Sequence, residues 1–384
     1  MKIAHVIPTY LPATRYGGPI WSVHDLCRHL NARGHQTNVF TTDVDGPGTI
    51  EVKSSRPCDV DGVKVQYFPV RTPRRLYYSP QLAAALKSHI VDFDIVHLHS
   101  TFLYPTMTAA RCAEKMQVPY VISPRGMLVK DLIRKKSFLL KSAWIAMFER
   151  HTVEHASAVH VTSPLESEEV HKFDFTMPPV HTIANGIDIP HVNESVPREA
   201  NSVLFLGRID WKKGLERLIS AVSLVEAAKL VIAGNDETGY TSKLKKLCRK
   251  LGVDERVRFI GPVTGGDKWR LYQNASVFVL PSLSENLANT VLEAMAMECP
   301  VVVTPQVGLA DAVHRHRAGL VSAGEPDALA TAIRTILDDA DGARSMGKRG
   351  RRLVEDAYGW PDIAAAMEQV YAEIVDRSKR GRLA

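Results

Sequence analysis

The chain has 384 residues, 45% of them hydrophobic and 23% charged, with 24 Gly and 22 Pro scattered along it, which predicts two or three domains with ordinary apolar cores and excludes a low-complexity chain. Five widely spaced cysteines, with no CxxC, argue against a disulfide framework and fit a reducing cytosol. A formal net charge of +6 points to polyanionic partners, without choosing among phosphates, nucleic acid and an anionic membrane surface.

The opening run Met1-Lys2-Ile3-Ala4-His5-Val6-Ile7-Pro8 is too short and too quickly broken for a signal peptide. No apolar run approaches the ~18–20 residues of a membrane span, so a soluble, cytoplasmic protein is expected. Residues 3–7 read as a strand, followed by a loop ending Tyr16-Gly17-Gly18-Pro19 and a helix over 21–31. Two glycines at a helix start fit either a phosphate cradle of bare backbone N–H groups or a plain turn. A strand at 37–41 leads to Asp43-Val44-Asp45, where paired aspartates could hold a metal–diphosphate; the following Gly46-Pro47-Gly48 favours a turn instead. After a helix over 81–90, the strand at 95–99 carries His97 and His99 on one face, with His99 at its carboxyl end. No third ligand lies nearby in sequence, so no metal is expected there. The strand at 120–123 is followed by Pro124-Arg125-Gly126, in which Arg125 either faces an anionic substrate or sits in an exposed turn.

Residues 130–150 mix Lys130, Arg134, Lys135, Lys136, Lys141 and Arg150 with Phe138, Leu139, Leu140, Trp144, Ile145 and Phe148. That pattern suits either an anionic membrane interface or a helix with one buried side and solvated lysines. A strand at 158–162 closes the first half. Residues 188–202, with two prolines and no periodicity, read as a linker.

Strands at 203–206, 229–233, 257–260, 277–280, 301–304 and 319–321 form the second half, with helices over 215–225 and 240–251 among them. A final helix over 362–376 has Ile363, Met367, Val370, Tyr371 and Ile374 on one side and is expected to return to the first domain. Strand–helix alternation predicts parallel sheets covered on both faces, in two doubly wound Rossmann-like domains that face a central cleft. The loop Gly207-Arg208-Ile209-Asp210-Trp211-Lys212-Lys213-Gly214 offers Arg208 and Lys213 to a diphosphate. The run Ser284-Glu285-Asn286-Leu287-Ala288-Asn289-Thr290-Val291-Leu292-Glu293 places one carboxylate in a loop and another in the first turn of a helix. Carboxylates take hydroxyls and a helix N-terminus attracts phosphate, so the pair suits a nucleotide-sugar. Glu293 also fits a capping box begun by Thr290.

These residues resemble the retaining glycosyltransferases of family 4, with the GT-B fold, over essentially the whole chain. The likeness is carried by Glu285-x7-Glu293, Gly207-Arg208…Lys213-Gly214, Gly17-Gly18, Asp94…His97-x-His99 and Asn185-Gly186-Ile187-Asp188. The resemblance implies an acceptor-side domain over 1–184, with a C-terminal helix of about 361–384 packed back on it, and a donor-binding domain over 185–360. It implies that Glu293 holds ribose hydroxyls and Glu285 donor-sugar hydroxyls. Amides of Asn286, Leu287 and Ala288 would assist, Arg208, Lys213 and the Gly17 and Gly18 amides would neutralise the diphosphate, and His99 would stand near the donor sugar. The donor would be a UDP-, GDP- or ADP-sugar, without a cofactor or metal. The acceptor would be a sugar or lipid-linked glycan, with no role for nucleic acid. Where the family has Phe-Gly this chain has Leu287-Ala288, where it has Gly this chain has Glu298, and Val307-Gly308 replaces Gly-Gly. Ser123-Pro124-Arg125-Gly126-Met127-Leu128 is similar to a subgroup associated with bacterial polysaccharide assembly. A hexosyl transfer to an acceptor hydroxyl with retention, at an inner membrane leaflet, is the function this implies. A nucleotide-sugar epimerase on the same fold and a non-catalytic nucleotide-sugar-binding protein are the alternatives.

Overall fold

In a computed structural model, which describes residues 1–51, 56–135, 142–193 and 197–383, the chain divides into two units. One comprises Met1–Gly186 with Trp360–Ala384, the other Ile187–Gly359.

The first unit holds β1 (Lys2–Val6), β2 (Gln36–Thr42), β3 (Val44–Asp45), β4 (Gly48–Thr49), β5 (Cys58–Val60), β6 (Val63–Phe68), β7 (Ile95–His99), β8 (Tyr120–Ser123), β9 (Ala158–Val161) and β10 (Val180–Thr182). Eight of them form one sheet in the order β10-β9-β8-β7-β1-β2-β6-β5, parallel except for β5 against β6. Strand order reverses between β1 and β7, so the loops that follow those two strands open beside each other. The second unit holds β11 (Ser202–Leu206), β12 (Lys229–Ala233), β13 (Val257–Gly261), β14 (Val277–Leu280), β15 (Val301–Val303) and β16 (Gly319–Val321). They form an all-parallel sheet in the order β13-β12-β11-β14-β15-β16, with its reversal between β11 and β14. Helices cover both faces of such sheets, which is why central strands such as β7 and β11 are buried at every position.

Sequence reading missed the β5–β6 hairpin and the edge strand β10. The hairpin turns through Asp61 and Gly62, both at positive φ (49° and 81°), the backbone that two-residue hairpin turns favour. Its signal was present as the Asp-Gly step before the alternating Val63–Phe68. Asp43-Val44-Asp45 is a turn element: β3 pairs antiparallel with β4 across Gly46-Pro47, Asp43 accepts the Val70 N–H at 3.0 Å, and Asp45 pairs with Arg15 at 3.4 Å.

The C-terminal helix, Trp360–Leu383, belongs to the first unit. Ile363, Met367, Val370, Tyr371 and Ile374 recur at helical spacing and are buried against Ile3, Leu26, Leu30, Ile95, Val121 and Ala158. Burial of each such side chain contributes about 1.5–3 kcal/mol. At its start Trp360 lies over Gly186, where a Cβ would stand 2.4 Å from the indole ring. Further along, the buried Tyr371 hydroxyl donates to His97 Nδ1 at 2.6 Å. Tyr371→Phe removes that donor and leaves a buried ring nitrogen unsatisfied. It is expected to lower stability by about 1–3 kcal/mol, read as a lower denaturant midpoint with an unchanged far-UV spectrum.

Candidate active site

In the second unit the site is built where β11 and β14 lie side by side. The loop after β11 lies against its neighbours with bare backbone. A Cβ on Gly234 would stand 1.7 Å from the Gly207 carbonyl oxygen, and a Cβ on Gly214, at φ +68°, would stand 2.1 Å from that of Pro281. Asp210 accepts the Lys212 N–H at 2.9 Å and so folds the turn Trp211–Lys213, while the Lys212 carbonyl accepts the Leu283 N–H at 2.7 Å. Glu285 is fixed through its own backbone: its N–H donates to Gln306 at 3.0 Å and its carbonyl accepts from Gly308 at 3.0 Å. The outcome is an ion pair between Lys213 Nζ and Glu285 Oε2, mostly shielded from solvent at 15% and 22% side-chain exposure. Arg208 stands exposed in the same loop as Lys213.

The helix that carries the second glutamate is Asn289–Ala296, capped by the backbone of Ala288 with no side-chain cap. Glu293 is therefore beyond the first turn, and the capping box is overturned. Its carboxylate instead accepts from Lys268 Nζ at 2.9 Å and from the buried Tyr272 hydroxyl at 2.8 Å. Burial first, and the Glu293 charge second, raise the Tyr272 phenol well above its ordinary range and keep it a donor. Lys268 and Tyr272 were missed by sequence reasoning; the signal is their i,i+4 spacing on the helix Gly265–Asn274. Leu287 and Ala288 are buried. Ala288 (φ 80°) and Glu298 (φ 56°) keep the left-handed backbone at two positions where the resembled family has glycine.

In the first unit Gly17 (φ 81°) precedes the helix Gly18–Ala32 as its N-cap. Its N–H donates to the Thr14 carbonyl at 3.2 Å, so Gly17 supplies conformation rather than the bare donor expected of it. His99 is fully buried at the end of β7. The sheet brings a third imidazole to the pair, because His5 of β1 stands in register with His97. His5, His97 and His99 lie within metal-ligating reach of one another, a grouping made by the sheet, since no third ligand lies near His97 and His99 along the chain.

Hydrogen bonding nevertheless accounts for them as neutral rings. His160 Nε2 donates to the Ile183 carbonyl at 2.8 Å, so His160 Nδ1 accepts the Ser123 hydroxyl at 2.7 Å. Ser123 in turn accepts from His97 Nε2 at 2.8 Å, and His97 Nδ1 accepts from Tyr371. Beside this chain, Arg125 Nη2 donates to His99 Nδ1 at 3.3 Å, so His99 Nε2 donates to His5 Nδ1 at 3.0 Å. A guanidinium only donates, and that fixes both tautomers.

Residues 190–353 match the family model of group 1 glycosyl transferases, and residues 17–186 that of a glycosyl transferase 4-like domain. A D-inositol 3-phosphate glycosyltransferase of Catenulispora acidiphila is 32% identical over 97% of this chain and 94% of its own length. Sucrose-phosphate synthase from Thermosynechococcus elongatus has a similar structure (TM-score 0.81, 20% identity, 98% and 99% of the two chains). So does Anabaena HepE in complex with UDP and glucose (TM-score 0.77, 18% identity, 97% and 100% of the two chains).

The imidazole network sets the acid behaviour of the first unit. Burial chiefly pushes His5 and His160 down to about 3 and holds His97 and His99 well below the ordinary 6.5. As pH falls below 6.5 the unfolded chain takes up protons on these four rings that the folded chain refuses, so their contribution, complete above 6.5, is lost toward 3. Glu149, raised to about 7 by burial, acts oppositely: its contribution is complete below 4.5 and lost as pH rises to about 7. Four rings outweigh one carboxyl, so stability is expected to fall from pH 6.5 to 4.5, by about 1.4 kcal/mol per pH unit for each net proton. Unfolding midpoints across that range test this, and His160→Gln is expected to make the slope shallower.

Proposed function

Because the chain belongs to the glycosyltransferases of the family 4 type, we propose that it moves a hexosyl group from a nucleoside-diphosphate sugar to an acceptor hydroxyl with retention of anomeric configuration, in polysaccharide or glycolipid assembly. The observation that carries this reading is the Lys213–Glu285 pair, where the loops after β11 and β14 converge, with Arg208 exposed in the same loop as Lys213. Arg208 and Lys213 would meet the diphosphate, Glu285 the donor-sugar hydroxyls and Glu293 the ribose, with the amides of Asn286, Leu287 and Ala288 and the Gly17-Gly18 turn in support. UDP is the first nucleotide to try, since HepE is bound to UDP and glucose.

The acceptor oxygen would bond to the anomeric carbon on the face from which the diphosphate leaves, and its proton would pass to the departing phosphate oxygen. Negative charge grows on that phosphate as the C–O bond breaks, and fixed cations stabilise it most when they are already in place. This charge comes from side chains, so the proposed reaction needs no divalent metal. His99, held neutral by burial and by the Arg125 charge and with both ring nitrogens engaged by Arg125 and His5, would support the wall of the sugar site rather than deliver a proton.

The acceptor would belong to the first unit. Basic and apolar groups gather there around an open cavity lined by Ile133, Ile145 and Phe173 together with Lys130, Arg134 and Arg150, and Met147 is 61% exposed. We propose that this surface meets anionic lipid at the inner leaflet. Lys136, Phe138, Leu139, Leu140 and Lys141 of the same segment lie outside the described residues. Among the described residues no helix is long and apolar enough to cross a membrane.

A thermal-shift screen of UDP-, GDP- and ADP-sugars is expected to select one nucleotide, because binding stabilises the folded state by mass action. With that donor, Arg208→Ala and Lys213→Ala are each expected to lower kcat/KM by about 10²–10³, Arg208→Ala at unchanged melting temperature and Lys213→Ala at a lower one, because it leaves the shielded Glu285 carboxylate unpaired. Near-normal turnover in both would refute the assignment, and an epimerised donor formed without acceptor would favour the epimerase. Flotation with liposomes is expected to require anionic lipid and to weaken with salt; binding indifferent to lipid charge would count against the membrane reading.

A further inference from the structure

We infer that Arg125 anchors an oxyanion-binding subsite on the first unit, and that the sugar acceptor carries a phosphate or carboxylate that binds there. This rests on the proposal above that the first unit takes the acceptor.

Arg125 lies in the turn after β8, at φ 54° beside Gly126 at φ 72°. Its guanidinium Nη1 donates to Asn185 Oδ1 at 2.9 Å and its Nη2 to His99 Nδ1 at 3.3 Å. Both acceptors are neutral. Its Nε is buried without a partner. Among the described residues no carboxylate pairs with it. Glu166 is felt at Arg125, but its oxygens accept from Gly126 N at 2.7 Å, Thr162 N at 2.8 Å and Thr162 Oγ1 at 3.1 Å.

A desolvated cation is normally matched by an anion, because leaving it unmatched is costly. The contacts to Asn185 and His99 call only for hydrogen-bond donors, which a neutral amide would supply. The Glu166 carboxylate acts on that charge only at a distance, and among the described residues no anion touches the guanidinium itself. A guanidinium whose Nε–H is uncommitted keeps one edge of the fork that matches phosphate or carboxylate.

The surroundings agree. Ser100 (φ 78°) and Phe102 (φ 61°), in the loop after β7, join Arg125 in the left-handed region. Such conformations persist in non-glycine residues where the surrounding structure enforces them, and they gather at ligand sites. That loop is held by Ser100 N donating to Ser123 O at 2.9 Å and by Phe102 N donating to the buried Glu149 carboxylate at 2.9 Å. Two further buried polar atoms lack partners there: His5 Nε2, whose ring accepts from His99, and Thr101 Oγ1, two residues beyond it.

The test uses the full chain with the nucleoside diphosphate from the screen present at saturation, so that the donor site is occupied. Inorganic phosphate and acetate are titrated separately by calorimetry at constant ionic strength, against wild type, Arg125→Gln and Arg125→Lys. Wild type is expected to bind one of the two anions. Arg125→Gln is expected to weaken that binding at least about tenfold, whereas Arg125→Lys keeps part of it. Nucleoside diphosphate affinity should stay within about threefold in both variants, which also reports that they are folded. Anion binding that is absent from wild type, or equal in wild type and Arg125→Gln, overturns the subsite. An equal loss of nucleoside diphosphate affinity overturns the acceptor assignment by giving Arg125 to the donor. A chain that binds no nucleoside diphosphate at all contradicts the proposed function instead.

Discussion

The donor-side constellation depends on backbone meeting backbone at the strand-order reversal of the second unit. A carbonyl oxygen occupies the space of any Cβ on Gly234, and another that of any Cβ on Gly214. Only glycine allows the loops after β11, β12 and β14 to close to that distance, and at Gly214 the positive φ adds to the demand. Lys213 and Glu285, 72 residues apart in the chain, meet as a consequence. Their pairing is a property of loop spacing before it is a property of charge. Ala288 and Glu298 show the same priority, since the left-handed backbone persists there without the residue that would adopt it most easily.

The first unit solves a different problem. One face of its sheet carries His5, His97, His99, Ser123 and His160 under the C-terminal helix, in a region that aliphatic side chains would fill more simply. The arrangement is tolerable because almost every polar atom is satisfied and the rings are neutral. What the network supplies is direction: each bond fixes the tautomer of the next ring. It also couples the C-terminal helix, through Tyr371, to Ile183 at the other end of the chain of bonds. The guanidinium of Arg125 brings a charge to the edge of this network, where the buried Glu166 carboxylate bonds to Gly126 and Thr162 rather than to it.

Much of this was legible in the residues. Strand–helix alternation located every strand of the second sheet and β1, β2, β7, β8 and β9 of the first, because strands buried on both faces are nearly unbroken apolar runs. The C-terminal helix declared its buried face by spacing alone. The edge elements β5 and β10 did not stand out, since short strands with an exposed side lack that signature, and β6 was missed because Lys64 and Gln66 interrupt its apolar run. Glu285 and Glu293 were visible as a pair, whereas the partners of Glu293 were not: Lys268 and Tyr272 lie on a preceding helix and look like ordinary surface and core positions.

By itself, then, the sequence determined the fold class, the two-unit organisation and the chemical types at the site, because these follow from periodicity, turn residues and motif spacing along the chain. Tertiary structure alone decided which groups answer one another. Parallel pairing of β1 with β7 set His5 beside His97, and the register of β7 with β8 set His99 beside Ser123 at the edge that Arg125 follows. Helix geometry moved Glu293 from a cap to a partner of Lys268. Such pairings rest on sheet register and on close approaches between segments far apart in the chain, and neither is written in the local order of residues.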